Sequence, residues 1–339
     1  MLKRLQFLTA GESHGKGLLG ILEGMPAGLP VSATEINVQL HRRQQGYGRG
    51  KRMQIEDDRI EIYAGVRYGK TLGSPIGLVL KNRDWDTWKK RMAVEPVDDP
   101  TQPVTLPRPG HADLPGAIKF GTKDIRNVLE RASARETAMR VALGAVARKL
   151  LQEIGISIAS RVVRIGPVQD PTPLPQPLDP EAVNRQADQS PVRCLEPQTE
   201  QAMLEVIRSA KEDGDSVGGV FEMVAAGIPP GLGSGVTWDR KLSARIGEAL
   251  HSINAIKGVE IGLGFASAER RGSAVHDEIL WQEGTFTRLT NNAGGLEGGM
   301  TNGMPLLVRA VMKPIPTLVK PLRSVDLITH EPRLAHKER

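Results

Sequence analysis

The sequence is short of three things, and each shortage removes a class of explanation. Its single cysteine, Cys194, rules out an internal disulfide and suits a reducing compartment; with no cationic motif beside it, the thiol reads as a passive core or surface residue. Aromatic residues make up only 4% of the 339 positions, too few for base stacking to be the main task. No apolar run approaches the roughly eighteen residues of a membrane span, and Met1-Leu2-Lys3-Arg4 leads into no long apolar stretch. A cytoplasmic protein without a membrane partner is expected.

An apolar content of 39% supports a sizeable core, in one large domain or two ordinary ones. Lys and Arg outnumber Asp and Glu by 45 to 39, a formal charge of +6. Such an excess serves nucleic acid, an acidic surface or a small polyanion. The basic residues fall in short arginine clusters rather than a long lysine stripe, which favours a small polyanionic ligand over nucleic acid.

Ser32 and Glu35 have capping-box spacing ahead of Ile36 and Leu40, predicting a helix that ends near Gly46 and carries Arg42 and Arg43 at its carboxyl end. Asp124 can cap a long helix over 125–153, with Ile125, Val128, Ala132, Met139, Leu143, Val146 and Leu150 on one face. Further helices are predicted over 238–253 and from about 199 to 210. Strands are predicted over 59–63, 76–80, 156–165, 217–226, 259–263 and 306–311, each short, β-rich and bounded by glycine or proline. The six prolines of 166–180 read as a stiff loop, not a domain linker. The class is α+β or α/β. Helix-then-strand order recurs, with a Ser-Ala-Arg triplet at 133–135 and again at 243–245.

Ala64, four residues, then Gly69-Lys70-Thr71 imitates a relaxed phosphate-binding loop, but such a loop must open a helix and Leu72-Gly73-Ser74-Pro75 cannot. A β-hairpin with Lys70 at or near its turn is expected instead. The glycine runs at 46–50 and 231–235 miss the dinucleotide fingerprint.

Two histidines stand in glycine-bearing turns, Gly11-Glu12-Ser13-His14-Gly15 and Arg108-Pro109-Gly110-His111-Ala112-Asp113. Glycine lets backbone approach a ligand closely, and imidazole moves protons near neutral pH, so His14 and His111 are the candidate acid-base groups. Arg43 and Arg49 flank a glycine-rich turn, Arg108 precedes His111, and Arg131 and Arg135 would share a helix face lined by small Ala132, Ser133 and Ala134. Guanidinium forks converging on one pocket suit a ligand with several anionic groups.

With Glu130 to Ala138, Ser252 to Gly258 and Lys313 to Thr317 in the same order, these motifs make the whole chain resemble the chorismate synthase family. The resemblance implies a single domain over 1–339 with a β-α-β sandwich and internal pseudo-two-fold repeat, a homotetramer, and a lyase that converts 5-enolpyruvylshikimate 3-phosphate to chorismate and phosphate with bound reduced FMN. It implies that His14 assists the departing phosphate and that His111 lies near flavin N1. It places Arg43, Arg49, Arg108 and Arg135 on substrate anions, Arg43 and Arg49 also on NADPH in members that reduce their own flavin. Flavin contacts fall to Arg131, Ala132, Ser133, Asn254, Ala255, Gly298, Lys313, Pro314, Ile315, Pro316, Thr317 and Arg339. The family pattern continues past Arg339 with an aspartate two residues on, held to relay the flavin N5 proton, and a further segment; a chain ending at Arg339 is expected to bind its ligands yet turn over slowly or not at all. The alternative class is a non-catalytic basic protein binding RNA or a phospholigand on the same scaffold, against which the two imidazoles argue.

Overall fold

The computed structural model describes residues 4–50 and 55–337, which form two compact units. The first takes the described residues up to 150, with 209–216 and 315–337; the second takes 151–208 and 217–314.

The first unit is built on an antiparallel sheet of β1 (Gln6–Ala10), β2 (Gly17–Glu23), β3 (Ile60–Ala64) and β6 (Ile76–Lys81), in the order β1-β2-β6-β3. Alternation sends Leu18, Leu22, Ile60, Ile76, Leu78 and Leu80 to one face, where they pack on Ile36 and Leu40 of the Ala33–Gln44 helix and on Met139, Leu143 and Val146 of the Glu136–Glu153 helix. Ser32 and Glu35 close the expected capping box. The expected hairpin forms from β4 (Val66–Arg67) and β5 (Lys70–Thr71), with Tyr68 and Gly69 both at positive φ, as a tight two-residue turn requires. No helix follows Lys70, and the phosphate-loop reading ends there.

The long helix expected over 125–153 is two helices. Arg126–Leu129 ends where Glu130 turns its side chain inward, residues 130–135 run as turns and bends, and a second helix occupies Glu136–Glu153. The apolar period survived the break because two unrelated contacts share a phase. Ile125 and Leu129 pack with Ala117, whereas Met139, Leu143 and Val146 face the sheet.

A helix that sequence periodicity did not show, Asp113–Phe120, lies against Arg126–Leu129. Gly116 permits the contact, since a Cβ there would stand 2.3 Å from Val128 Cγ1. Gly116→Ala is therefore expected to destabilise the protein by about 1–3 kcal/mol through overpacking. Urea unfolding would measure the loss, and combination with Val128→Ala should recover part of it.

The second unit has a sheet of β7 (Ser157–Ile165), β8 (Val168–Gln169), β9 (Gly219–Ala226), β10 (Ile256–Ile261) and a long strand at Leu306–Met312. Between these last two come the hairpins β11 (Ile279–Gln282) with β12 (Thr285–Arg288) and β13 (Leu296–Glu297) with β14 (Met300–Thr301), so Leu306–Met312 is β15 and the sheet order is β10-β15-β9-β7-β8. The Leu242–His251 helix covers one face through Leu250 against Ala225, Leu306, Val308 and Ala310. The segment expected as a helix from Trp238 begins instead with a separate 3₁₀ turn, Trp238–Arg240. Val183 and Ala187 of the Pro180–Gln189 helix cover the other face against Ala159 and Val224. The proline-rich loop ends as that helix's start, Asp179 capping and Pro180 in its first turn. Arg161, Glu222, Arg309 and Glu260 stand in register across four strands, a row of alternating charge. Cys194 is buried and donates to Asp170 Oδ2 and the Glu196 carbonyl; burial first, then Asp170, pushes its thiol up to about 11. It is inert, as expected.

Candidate active site

His14 sits in the loop between β1 and β2. Gly11 has φ +104° there, and a Cβ would meet the Gly17 carbonyl at 2.3 Å, so only glycine allows the two strand ends to approach. The loop's shape is held by Asn82, at the end of β6, whose amide donates to the carbonyls of Glu12, Ser13 and Gly15 at 3.1, 3.1 and 2.8 Å. Glu130 completes the frame: its carbonyl accepts from Ser13 N at 2.9 Å, and its carboxylate accepts from His14 N at 2.8 Å and from His14 Nδ1 at 2.9 Å. Arg126 Nη1 donates to the same carboxylate at 2.9 Å. The imidazole is stacked on Trp88, centroids 3.9 Å apart at 21°.

His111 is gripped alike. Its Nδ1 lies 2.5 Å from Oδ1 of Asp113, a wholly buried carboxylate that opens the Asp113–Phe120 helix. Arg108 forks onto Asp113 through Nε at 2.8 Å and Nη2 at 3.1 Å, and its Nη1 donates to Thr317 Oγ1 at 2.8 Å. Burial works against ionisation of Asp113, but hydrogen bonds from His111 and Arg108 and the charge of Arg108 outweigh it and hold the carboxyl far below its usual range. A carboxyl depressed in the folded state stabilises it fully above the unfolded carboxyl's pKa and loses that contribution as pH falls through the folded value. Asp113→Asn should accordingly unfold at lower urea than wild type at pH 7, with the gap closing progressively below about pH 4. A gap independent of pH would show that Asp113 stabilises by packing and not by charge.

Both histidines thus belong to the first unit. One is anchored on the residue that follows the Arg126–Leu129 helix and the other on the residue that begins the helix packed against it.

The arginines separate into kinds. Arg135 is buried, with Nε on Asn82 Oδ1 at 2.9 Å, Nη1 on Asp58 at 2.5 Å and Nη2 on Glu56 at 3.5 Å. Arg43 donates to Thr137 Oγ1, the Ala134 carbonyl and Asp58. Arg131 points the other way and ties β1 down through the Thr9 and Gly11 carbonyls at 2.7 and 3.2 Å. The common helix face expected for Arg131 and Arg135 does not exist, because the break between the helices splays them. Ser133 Oγ in that break donates to Ser13 Oγ at 3.0 Å. Arg49 has no ion-pair or hydrogen-bond partner among the described residues; its surface is exposed, yet the surrounding chain desolvates the guanidinium enough to lower its pKa.

In the second unit, Ala255 next to Asn254 is held at φ 72°, its carbonyl accepting from Lys313 N at 3.0 Å. Gly298, at φ +59°, turns the β13–β14 hairpin with open space where a side chain would begin. The Lys313–Thr317 turn passes from the second unit to the first after Pro314, and Ser216 Oγ donates to the Ile315 carbonyl at 2.8 Å. Arg339 lies outside the described residues. Sequence reasoning missed Glu130, Asp113, Trp88 and Asn82 as site residues. Only Asp113, two positions from His111, carried a local signal.

Two histidines thus stand each with Nδ1 on a buried carboxylate that an arginine also holds. The family model for chorismate synthase matches residues 5–339. This chain belongs to the chorismate synthase family. It is 58% identical to the chorismate synthase of Geobacillus thermodenitrificans (strain NG80-2) over 339 residues, 99% of this chain and 87% of that one. It is 56% identical to the chorismate synthase of Aquifex aeolicus (strain VF5), over the whole of this chain and 87% of that one. A crystal structure of chorismate synthase superposes with a TM-score of 0.80 at 50% identity, covering 94% of this chain and 86% of that one. The α+β fold is that of chorismate synthase, and the chain is a lyase of the shikimate route to aromatic amino acids, converting 5-enolpyruvylshikimate 3-phosphate to chorismate and phosphate.

Proposed function

We propose that His14 and His111 are the acid-base groups of this elimination and that the chain works with bound reduced FMN. The supporting observation is the shared setting of the two imidazoles, each with Nδ1 on a carboxylate. Losing phosphate from the substrate requires an acid at the departing oxygen, and a histidine with one nitrogen occupied can serve with the other. His14 takes that role and His111 steadies the reduced cofactor.

The residues fit a flavin in their chemistry. Arg131, Ser133, Asn254 and Lys313 offer the N–H and O–H donors that a phosphate monoester and the polar ring edge need, and the open turn at Gly298 lets backbone be approached closely. That these residues, with Ala132, Ala255, Pro314, Ile315, Pro316 and Thr317, are flavin contacts is carried over from the resemblance; the chemistry such a flavin would supply is electron density for C–O cleavage and a base for the ring proton.

The substrate's phosphate and two carboxylates call for cations. Every nitrogen of Arg43, Arg108 and Arg135 already has a partner in the chain, which fixes their charge and frames the loops and leaves for an anion only the second N–H of an Nη. Arg49 is the arginine we assign to direct anion contact. Arg49→Lys should raise the KM for substrate, because an ammonium cannot reproduce a bidentate fork, while stability stays within about 0.5 kcal/mol. Unchanged KM would return Arg49 to the solvated surface.

We read both compact units as one family domain, since the family match runs through both. The homotetramer, the cytoplasmic location and the use of NADPH by members that reduce their own flavin are carried over from the resemblance. Among the described residues no helix is long and apolar enough to cross a membrane. Anaerobic assay of the full-length protein with reduced FMN and 5-enolpyruvylshikimate 3-phosphate tests the cofactor; turnover without flavin would overturn it. Oxidised FMN with NADPH, replacing reduced FMN, tests self-reduction.

A further inference from the structure

The two carboxylates behind the histidines are surrounded by donors. Glu130 accepts from the backbone N–H of His14 on Oε2 at 2.8 Å and from Arg126 Nη1 on Oε1 at 2.9 Å, with His14 Nδ1 2.9 Å from Oε2 and 3.0 Å from Oε1. Asp113 accepts on Oδ2 from Arg108 N at 3.0 Å and Nε at 2.8 Å, and on Oδ1 from Arg108 Nη2 at 3.1 Å, with His111 Nδ1 2.5 Å away; Arg108 Nη2 also lies 3.1 Å from His111 Nδ1, but the ring nitrogen is far closer to the carboxylate oxygen, which Nη2 serves as well. A carboxylate held among fixed N–H groups presents only lone pairs, so the ring nitrogen facing it must carry hydrogen. The partner of one imidazole nitrogen decides what the other can do.

We propose that Glu130 and Asp113 are positioning residues that lock His14 and His111 in the Nδ1–H form, so that Nε2 alone gains and loses the reacting proton. The inference rests on the reading of both histidines as acid-base groups. In the step at the phosphate, the Nε2–H bond of His14 breaks, its proton goes to the departing oxygen, and Nδ1 keeps its hydrogen on Glu130. Arg126 on Glu130 and Arg108 on Asp113 oppose transfer of the ring proton to the carboxylate. Trp88 has a related task. Stacked on His14 and fixed by its own indole N–H, which donates to Asp84 Oδ2 at 3.0 Å, it covers a ring face that could accept no hydrogen bond and leaves approach to the ring edge.

An amide cannot replace either carboxylate. Glutamine at 130 has one acceptor oxygen for three donors, so its NH₂ must face one of them. The least costly relief is for the ring to move its hydrogen to Nε2 and accept through Nδ1. A comparable reversal on exchanging aspartate for asparagine costs a catalytic triad about four orders of magnitude in kcat.

The test is long-range ¹H–¹⁵N spectroscopy of the full-length protein labelled in histidine, with the two rings assigned by the signals lost in His14→Ala and His111→Ala. Wild type should show both neutral rings with hydrogen on Nδ1; hydrogen on Nε2 in either ring overturns the proposal without any variant of the carboxylates. Glu130→Gln and Asp113→Asn should each reverse the tautomer of their own histidine and lower kcat by about 10²- to 10⁴-fold, with little change in KM. Trp88→Phe should keep the kcat that Trp88→Ala loses. Either amide variant retaining kcat, with or without tautomer reversal, sinks the positioning role. Should His14→Ala itself retain turnover, the acid reading of His14 fails, while the spectra still judge the carboxylates.

Discussion

Alanine at His14 or at His111 is expected to lower kcat by about two to four orders of magnitude while thermal stability and flavin affinity stay near wild type. The separation of effects follows from the geometry. His14→Ala keeps the backbone N–H that donates to Glu130, and Arg126 still neutralises that carboxylate, so no buried charge is stranded. His111→Ala likewise leaves Asp113 with the Arg108 fork. What vanishes is the imidazole. Phosphate release measured anaerobically with reduced FMN would register the loss, and a variant within about threefold of wild type would remove that histidine from the acid-base assignment.

Arg135→Ala should cost about 3–5 kcal/mol of folding stability, the largest expected effect on stability of any substitution considered. Its guanidinium is the shared partner of Glu56 and Asp58, both under a tenth exposed, and it also donates through Nε to Asn82 Oδ1. Removing it takes the shared cation from both carboxylates and leaves Asp58 only the longer, 3.4 Å contact of Arg43. Lysine should recover only part, since one ammonium cannot hold three separated acceptors in a plane. Urea denaturation should show a fall in midpoint with an unchanged slope, and activity should follow the folded fraction. A variant of wild-type stability with a raised KM would instead make Arg135 a direct ligand of the substrate.

The legible parts of this fold were those whose cause is local. The helix at Ala33–Gln44 announced itself because both halves of its capping box are three residues apart, and the strands β3, β6, β7, β9, β10 and β15 because each is an apolar run between breakers. The strands that flank the His14 loop were missed. In β2 the inward positions are Leu18, Gly20 and Leu22, so a glycine interrupts the pattern, and Gly20 is there for Met139, whose sulfur would lie 2.5 Å from a Cβ. The Asp113–Phe120 and Pro180–Gln189 helices were hidden by their own prolines, which sit in the first turn where the missing N–H costs nothing. In the site, the histidines were visible because glycines mark them. Glu130 was visible only as a neighbour of arginines, since its real partner is 116 positions away and no spacing rule reaches that far. The splayed arginines failed for the opposite reason: periodicity continued through a stretch where the backbone is not helical.

The amide of Asn82 has a further meaning for how this site can change. Three of the carbonyls that shape the His14 loop are answered by one side chain rooted at the end of a sheet strand. The exposed side chain of Glu12 is therefore released from maintaining the loop's form. Random libraries at the exposed Glu12 should yield mostly folded proteins, whereas libraries at Asn82 should yield mostly proteins that have lost the loop. The freedom to vary the histidine turn is stored in residues outside it, its carbonyls answered by Asn82 and its N–H groups by Glu130.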